Sequence, residues 1–289
     1  MKKFQGASFF KGVYYTYVFL FLMYLLTPLL ITAILAFNDN SAVSFPWKGF
    51  TFRWFFSNTP GSEGVFGEKR MMDAIGMSLK VASMVTVLAT LLGISNAFLF
   101  ERRDFFGKQF LYLLMLLPLI IPGVVLGISI LSFSHRLSSF FNVVFGRKAG
   151  SFLNPGYWLV VFGQMSFITT LATLVITARL RRFDRTLEEA AMDLGANNMT
   201  AVILITLRFL APAIFNAAVV AFLFSFNNFN TTYFLIGTEP TLPVLLYSRL
   251  RFGITPQINA VSVMLMFVTG LLGLLSVFSS GEKKQIRQK

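Results

Sequence analysis

The chain has 289 residues, of which 55% are hydrophobic and only 13% charged, and it carries a formal net charge of +13. With a mean hydropathy of +0.70, it has too little polar surface to clothe a soluble globule of this size, which excludes the soluble classes and places it in a membrane. Cysteine is absent, so disulfide frameworks, thiolate metal sites and cysteine nucleophiles are excluded as well.

Six stretches reach the roughly 20 apolar residues that a bilayer crossing needs. They are 13–36, 74–100, 110–133, 157–178, 211–236 and 258–280, and the only charge within them is Lys80. The first follows Lys2 and Lys3 as a signal peptide would. Its apolar core is too long for one and no A-x-A site follows, so an uncleaved helix is predicted. The outer connection after it carries Trp47, Phe50, Phe52, Trp54, Phe55 and Phe56, rings suited to the membrane interface. Lys80 lies about two turns inside the outer edge of the second span, where its stem can snorkel to the headgroups. In the third span, Gly123 and Gly127 form a G-x-x-x-G that lets backbones approach, and Pro118 and Pro122 predict a kink. The connection 134–156 predicts a short interfacial helix before a turn at Asn154-Pro155-Gly156. The connection 237–257, with Pro240, Pro243 and Pro256, is expected to be largely irregular.

If both termini are cytoplasmic, the inner segments hold fifteen Lys and Arg and the outer ones nine. Retention of positive charge inside therefore predicts six transmembrane helices with both ends in the cytoplasm. It also accounts for the net charge without nucleic acid as a partner.

Between the fourth and fifth spans, the inner loop 179–210 contains Thr186-Leu-Glu-Glu-Ala-Ala-Met-Asp-Leu-Gly195. Thr186 and Glu189 are spaced as a capping box that starts a helix. Leu187, Ala190, Ala191 and Leu194 fall on one apolar face, with Glu188, Glu189, Met192 and Asp193 beside or opposite it. Gly195 is placed to stop the helix, and Asn197 or Asn198 to cap a second one running towards the fifth span. An acidic helical hairpin with an apolar face, set in a basic loop, reads as a docking surface for a soluble partner.

Glu189-Ala190-Ala191, three residues, Gly195, nine residues and Ile205-Thr206-Leu207 resemble the E-A-A loop of the membrane subunits of binding-protein-dependent ABC importers. Arg208 stands where that family usually has proline. The later stretches "TYFLIG" and "TLPVLLYSRLRFGITPQINAVSVML" are similar to the second permease subunit of spermidine and putrescine systems. The resemblance implies the all-α type I ABC importer permease fold, as a single transmembrane domain over 1–289. It also implies that Glu188, Glu189, Ala190, Ala191, Asp193, Leu194 and Gly195 contact an ABC ATPase subunit dimer. The other implied partners are a second homologous permease subunit and an extracytoplasmic solute-binding protein. No G-x-x-x-x-G-K-[ST] occurs in the chain. ATP and Mg are therefore expected on the partner ATPase, with no cofactor and no metal in this chain.

A path for a polar solute should be marked by polar groups inside the spans. The candidates are Ser225, Asn227, Asn228, Asn230, Thr231 and Thr232 in the fifth span, Gln164, Ser166, Thr169 and Thr170 in the fourth, and Asn259 and Ser262 in the sixth. Interhelical hydrogen bonding is the structural alternative for each. The resemblance favours a polyamine such as spermidine or putrescine. Asn227 and Asn228 stand where the polyamine relatives commonly carry an aspartate pair, and no span contains a carboxylate. A zwitterionic or anionic solute, such as an amino-acid derivative or an organophosphonate, thus competes. A secondary transporter would be expected to show buried carboxylates. A membrane enzyme would need a catalytic constellation that the lone loop histidine, His135, does not supply.

Overall fold

The computed structural model describes residues 3–44, 46–59, 62–146 and 150–281. Lys2, Arg147, Lys148, Lys283, Lys284, Arg287 and Lys289, which entered the charge count above, lie outside them. The described residues form α1 (Lys3–Ala36), α2 (Arg53–Phe56), α3 (Lys69–Arg102), α4 (Lys108–Ile120), α5 (Gly123–Phe145), α6 (Tyr157–Leu180), α7 (Thr186–Asp193), α8 (Asn198–Ala201), α9 (Leu207–Phe226), α10 (Thr232–Leu235), α11 (Leu242–Leu250) and α12 (Pro256–Gly281). The only sheet among them is the two-stranded hairpin of β1 (Asn58–Thr59) and β2 (Ser62–Glu63). Six helical stretches are long and apolar enough to cross a membrane: Phe10–Ala36, Lys69–Arg102, Gly123–Phe145, Tyr157–Leu180, Asn198–Phe226 and Pro256–Ser276.

Two compact units are distinguished, 1–72 with 249–268 and 73–248 with 269–289. In the first, α1 is apolar on all sides and its apolar window buries nothing against the rest of the chain, as expected of a helix facing lipid or another subunit. The connection after α1 folds around aromatic rings. Phe37 stacks on Phe50 and Phe55, and the buried Trp54 donates its indole N–H to the Asn38 carbonyl at 2.8 Å. Arg249 forms a bidentate pair with Glu68.

In the second unit α6 runs along α9. Ala172, Ile176 and Leu180 of α6, Leu210 and Ala217 of α9, Ala97 of α3 and Phe183 form one buried cluster. A second cluster joins Val81, Val85 and Ala89 to Leu159, Val160, Val161, Ile168, Ala221 and Leu235. Small residues let the helices approach α6 closely at two points: a Cβ on Gly163 would overlap Leu235 Cδ1. A Cβ on Gly93 would come within 2.9 Å of Ala172 Cβ, so α3 and α6 meet nearly backbone to backbone.

Four expectations are corrected. The third stretch is not one kinked helix. Pro122 ends α4, because Ile121 before it is forced to an extended conformation (ψ 130°), and α5 starts afresh at Gly123. Pro118, by contrast, sits within α4. The crossing helix is consequently 123–145, and among the described residues the connection after it holds a 3-10 turn, Ser151–Leu153, and no further helix. The fifth stretch begins earlier, at Asn198, and its helix stops at Phe226, so 227–231 is not helical span at all. The connection 237–257 contains a nine-residue helix, α11, because Pro243 falls in its first turn, where no amide donor is needed.

Candidate functional site

The two interruptions, one between α4 and α5 and one between α9 and α10, flank a single cleft of ≈ 530 Å³. Its walls include Ile121 from one break and Asn227, Asn228, Asn230 and Thr231 from the other, with Pro118 of α4 and Phe167, Leu223 and Phe224 beside them. Non-helical backbone within a membrane protein is tolerated where it is buried in protein or lines a water-filled cavity, and both breaks line this cleft. The glycine motif explains how the breaks stay together. Gly123 and Gly127 face Asn230, Thr231 and Phe234 so closely that a Cβ on Gly127 would lie 3.0 Å from the Thr231 carbonyl oxygen. Thr231 reciprocates by donating its hydroxyl to the Gly123 carbonyl at 3.2 Å.

The polar residues expected along a path divide into two groups. Asn227 and Asn230 are exposed and Asn228 half-buried, all on the cleft. Asn227 spends its amide on the Leu223 carbonyl at 3.1 Å, which leaves its side-chain oxygen open. Ser225, Gln164 and Thr232 are buried behind them as a relay. Ser225 donates to Gln164 Oε1, Gln164 Nε2 donates to Thr232 Oγ1 at 2.8 Å, and Thr232 donates to Asn228 Oδ1 at 2.8 Å. Gln164 is 1% exposed; the relay registers the break against α6. Thr231 is buried but borders the cleft. Thr170 donates to the Met115 carbonyl of α4 at 2.6 Å, and Ser166 to the Gly163 carbonyl at 2.6 Å, both structural bonds. Thr169 is half-buried, away from the cleft lining, with its hydroxyl unpartnered. Asn259 is buried in the other unit, its amide nitrogen unpartnered, and Ser262 bonds back to Ile258. Lys80 and His135 are exposed and outside the cleft lining.

The second candidate site is the hairpin of α7 and α8. Its start differs from the capping box: Asp184 Oδ1 accepts from both the Thr186 amide (3.0 Å) and hydroxyl (2.8 Å), so the cap lies two residues upstream and Glu189 is left exposed. These bonds hold the Asp184 carboxyl below its usual range. Its end is as expected. Gly195 has φ +94°, and the Gly195 and Ala196 amides close on the Met192 and Ala191 carbonyls at 2.9 and 3.0 Å, a Schellman stop. Asn197 Oδ1 then caps α8 through the Thr200 amide at 2.7 Å. Leu187 is 51% exposed, Leu194 91% and Met199 70%, and Glu189, Ala190 and Asp193 are also exposed, with Ala191 half-buried.

Glu188 alone among the seven expected contacts turns inward. It is 8% exposed and takes a bidentate pair from Arg102 at 2.8 and 2.9 Å, with the Thr206 hydroxyl donating to the same carboxylate. Burial pushes this carboxyl up, but the hydrogen bonds from Arg102 and Thr206 and the charges of Arg102 and Arg185 outweigh it and hold it below its ordinary 4.5. Arg102 and Thr206 have no signal in the local sequence pattern that would have paired them with Glu188. Arg208 is exposed, and the helix runs unbroken through it; a five-residue π-helical turn, Val202–Thr206, immediately precedes it.

Six apolar helices, two apposed helix breaks around an uncharged polar cleft, and a helical hairpin at the junction of the fourth and fifth spans define a multi-pass membrane transport protein. No protein-family profile matches the chain. Over 268 residues, 91% of this chain and 90% of the relative, it is 30% identical to the putrescine transport system permease protein PotI of Escherichia coli strain K12. It is 27% identical to the spermidine/putrescine transport system permease protein PotC of Haemophilus influenzae, with 90% of this chain and 93% of that one covered. In fold it is similar to a chain in the crystal structure of a bacterial ABC transporter involved in the import of the acidic polysaccharide alginate, at TM-score 0.73 and 16% identity over 99% of each chain. The chain belongs to the ABC importer permease family that includes the putrescine and spermidine/putrescine permeases, a family of multi-pass inner-membrane subunits that are not themselves the ATPase.

Proposed function

We propose that the chain is the polyamine-translocating permease of a binding-protein-dependent importer, with both termini cytoplasmic. The α7–α8 hairpin docks in an ABC ATPase dimer that binds ATP and Mg, this chain holding no cofactor of its own. A second permease subunit pairs with it, and an extracytoplasmic binding protein delivers the solute. The observation that carries the docking assignment is the bare apolar tip of the hairpin. Leu194 stands exposed where Gly195 stops α7, and Met199 stands exposed on α8, which Asn197 caps, a combination that a plain connector does not need. In this reading Glu189, Ala190, Ala191, Asp193, Leu194 and Gly195 form the contact, and Asn227, Asn228, Asn230 and Thr231 line the solute path. ATP-driven closure of the ATPase dimer moves the hairpin as a body and rocks the spans between inward- and outward-open states.

Polyamine as the solute rests on the relatives' names. One observation favours a second reading. No Asp or Glu lines the cleft, and a dication in a low-dielectric site gains most from carboxylates, so an uncharged or zwitterionic solute fits these amides as well. Uptake of labelled putrescine by proteoliposomes carrying the assembled complex, with ATP inside, tests both. Saturable ATP-dependent uptake supports the polyamine. Transport of a zwitterion to the exclusion of putrescine supports the second reading. Uptake by this chain alone down an ion gradient would refute the importer mechanism.

A further inference from the structure

Three separate stretches of chain meet at one buried point. Arg102 is the last residue of α3, Glu188 lies in the first turn of α7, and Thr206 closes the π-helical turn that leads into α9. The carboxylate is 8% exposed and the threonine 0%. Both guanidinium termini of Arg102 are on Glu188, and the face of the same group lies 4.8 Å from the Phe98 ring and 5.8 Å from the Phe183 ring. Phe183 in turn contacts Phe209 at 5.3 Å. Glu101, the neighbour of Arg102, adds further ties to the segment before α7. Its carboxylate takes Arg181 at 3.0 Å, and its carbonyl accepts from Arg185 at 3.2 Å.

From this geometry we infer that Arg102, Glu188 and Thr206 are positioning residues for coupling. They brace the docking hairpin against the second and fifth spans from within, so that Glu188 is a joint inside the permease and no contact of the ATPase. The inference rests on the docking reading of the hairpin. The physical case is stiffness. A bidentate arginine–carboxylate pair has a fixed planar geometry, and stacking on two aromatic rings removes the remaining rotation of the guanidinium. Without the brace, α7 is an eight-residue helix with an exposed outer face and no comparable tie to α3. A force applied to Leu194 would then be absorbed by tilting the hairpin and would not reach the spans. The π-helical turn sharpens the point. Its wider ring is a soft element in an otherwise α-helical connection, and Thr206 is the residue of that turn which Glu188 holds.

The test uses the cysteine-free chain, assembled with its ATPase and binding-protein partners. Glu188→Gln, Thr206→Val and the exchanged pair Arg102→Glu with Glu188→Arg are compared with Leu194→Asp on the outer face. Three quantities are read: capture of the ATPase dimer, stimulation of ATP hydrolysis by loaded binding protein, and the distance distribution between spin labels on Leu99→Cys and Met192→Cys, both exposed positions. The expected result is that Glu188→Gln and Thr206→Val retain ATPase capture and basal hydrolysis. Stimulation should fall about tenfold, within the range of coupling between sites, and the label distribution should broaden. The exchanged pair should recover part of both, and Leu194→Asp should instead lose capture with the label distribution unchanged. The inference is overturned if Glu188→Gln loses capture as Leu194→Asp does while the distribution stays narrow, which would make Glu188 a docking contact. Unchanged stimulation in both brace variants overturns it as well. Failure of the native chain to capture any ATPase would instead refute the docking reading beneath it.

Discussion

Replacing Gly127 with alanine adds one methyl where α5 closes on the α9–α10 break. The new carbon would lie 3.0 Å from the Thr231 carbonyl oxygen, 3.1 Å from the Phe234 ring and 3.2 Å from Thr231 Cα. Carbon contacts relax only at about 3.5–4.0 Å. Two of those three atoms are backbone, so side-chain rotation cannot relieve the overlap, and α5 must retreat from the α9–α10 break. Two effects compete. Alanine in a helix is favoured over glycine by roughly 0.8–1 kcal/mol, whereas overpacking a close contact costs about 1–3 kcal/mol. The second outweighs the first, for a net loss of about 0–2 kcal/mol. Gly123→Ala meets only the Asn230 and Thr231 side chains, at 3.0 and 3.3 Å, and Gly270→Ala meets nothing within 4 Å. The expected order of thermal midpoints in detergent micelles is therefore Gly270→Ala at or above the native chain, then Gly123→Ala, then Gly127→Ala. Solute uptake should fall in Gly127→Ala, because the displaced contact carries the Asn230–Thr231 wall of the cleft. A Gly127→Ala chain as stable as Gly270→Ala, with full uptake, would refute the packing argument.

Three further outcomes are expected. Gln164→Leu removes the two relay bonds that Gln164 makes, with Ser225 and Thr232. At about 0.6 kcal/mol per interhelical bond on average, and up to about 1.7, the loss should be about 1–3 kcal/mol, and a double-mutant cycle with Thr232→Val should be non-additive; additivity would show that the relay does not exist. Gly195→Val forces a branched side chain to φ +94°, a region costing L-residues about 1–2 kcal/mol. It should weaken ATPase capture with the chain still in the membrane, as read by co-purification. Because the Glu188 carboxyl titrates below its ordinary 4.5 when folded, its contribution is fully present above that value and is lost as the pH falls through the lower, folded value. The spin-label distribution across the hairpin should therefore be constant near neutrality and broaden only on acidification below about pH 4.5, and Glu188→Gln should abolish that dependence.

Hydropathy alone was enough to count the six apolar crossing helices, though it misplaced the third and the fifth, since burying backbone in lipid demands long apolar helices whatever their sequence detail. The interruptions were harder to read because hydropathy does not register where a helix loses its hydrogen bonds. Prolines do not settle the matter: Pro122 ends a helix, whereas Pro118 and Pro212 lie inside α4 and α9. The clearer signal was the run Asn227-Asn228-Phe229-Asn230-Thr231, residues whose side chains compete for backbone groups, read from the sequence as span lining and found here as the break itself. In the hairpin, Asp184 took the capping role that spacing had given to Thr186 and Glu189. The inward turn of Glu188 was invisible because its partner is 86 residues away. Adjacent helical positions differ by about 100°, so of two neighbouring glutamates one faces the bundle and the other solvent, and only the tertiary partner decides which.

The length of α3 has a mechanical meaning. Its 34 residues contain no proline and at 1.5 Å per residue make a rod of about 51 Å, well beyond the roughly 30 Å of hydrocarbon it crosses. A rod of that reach is a lever with one arm ending at Arg102. Tilting it by about 10° displaces its far end by roughly 9 Å, more than the width of a small solute. A modest rotation at one membrane face thus reaches the other as a large translation, without any residue along the way leaving its helix.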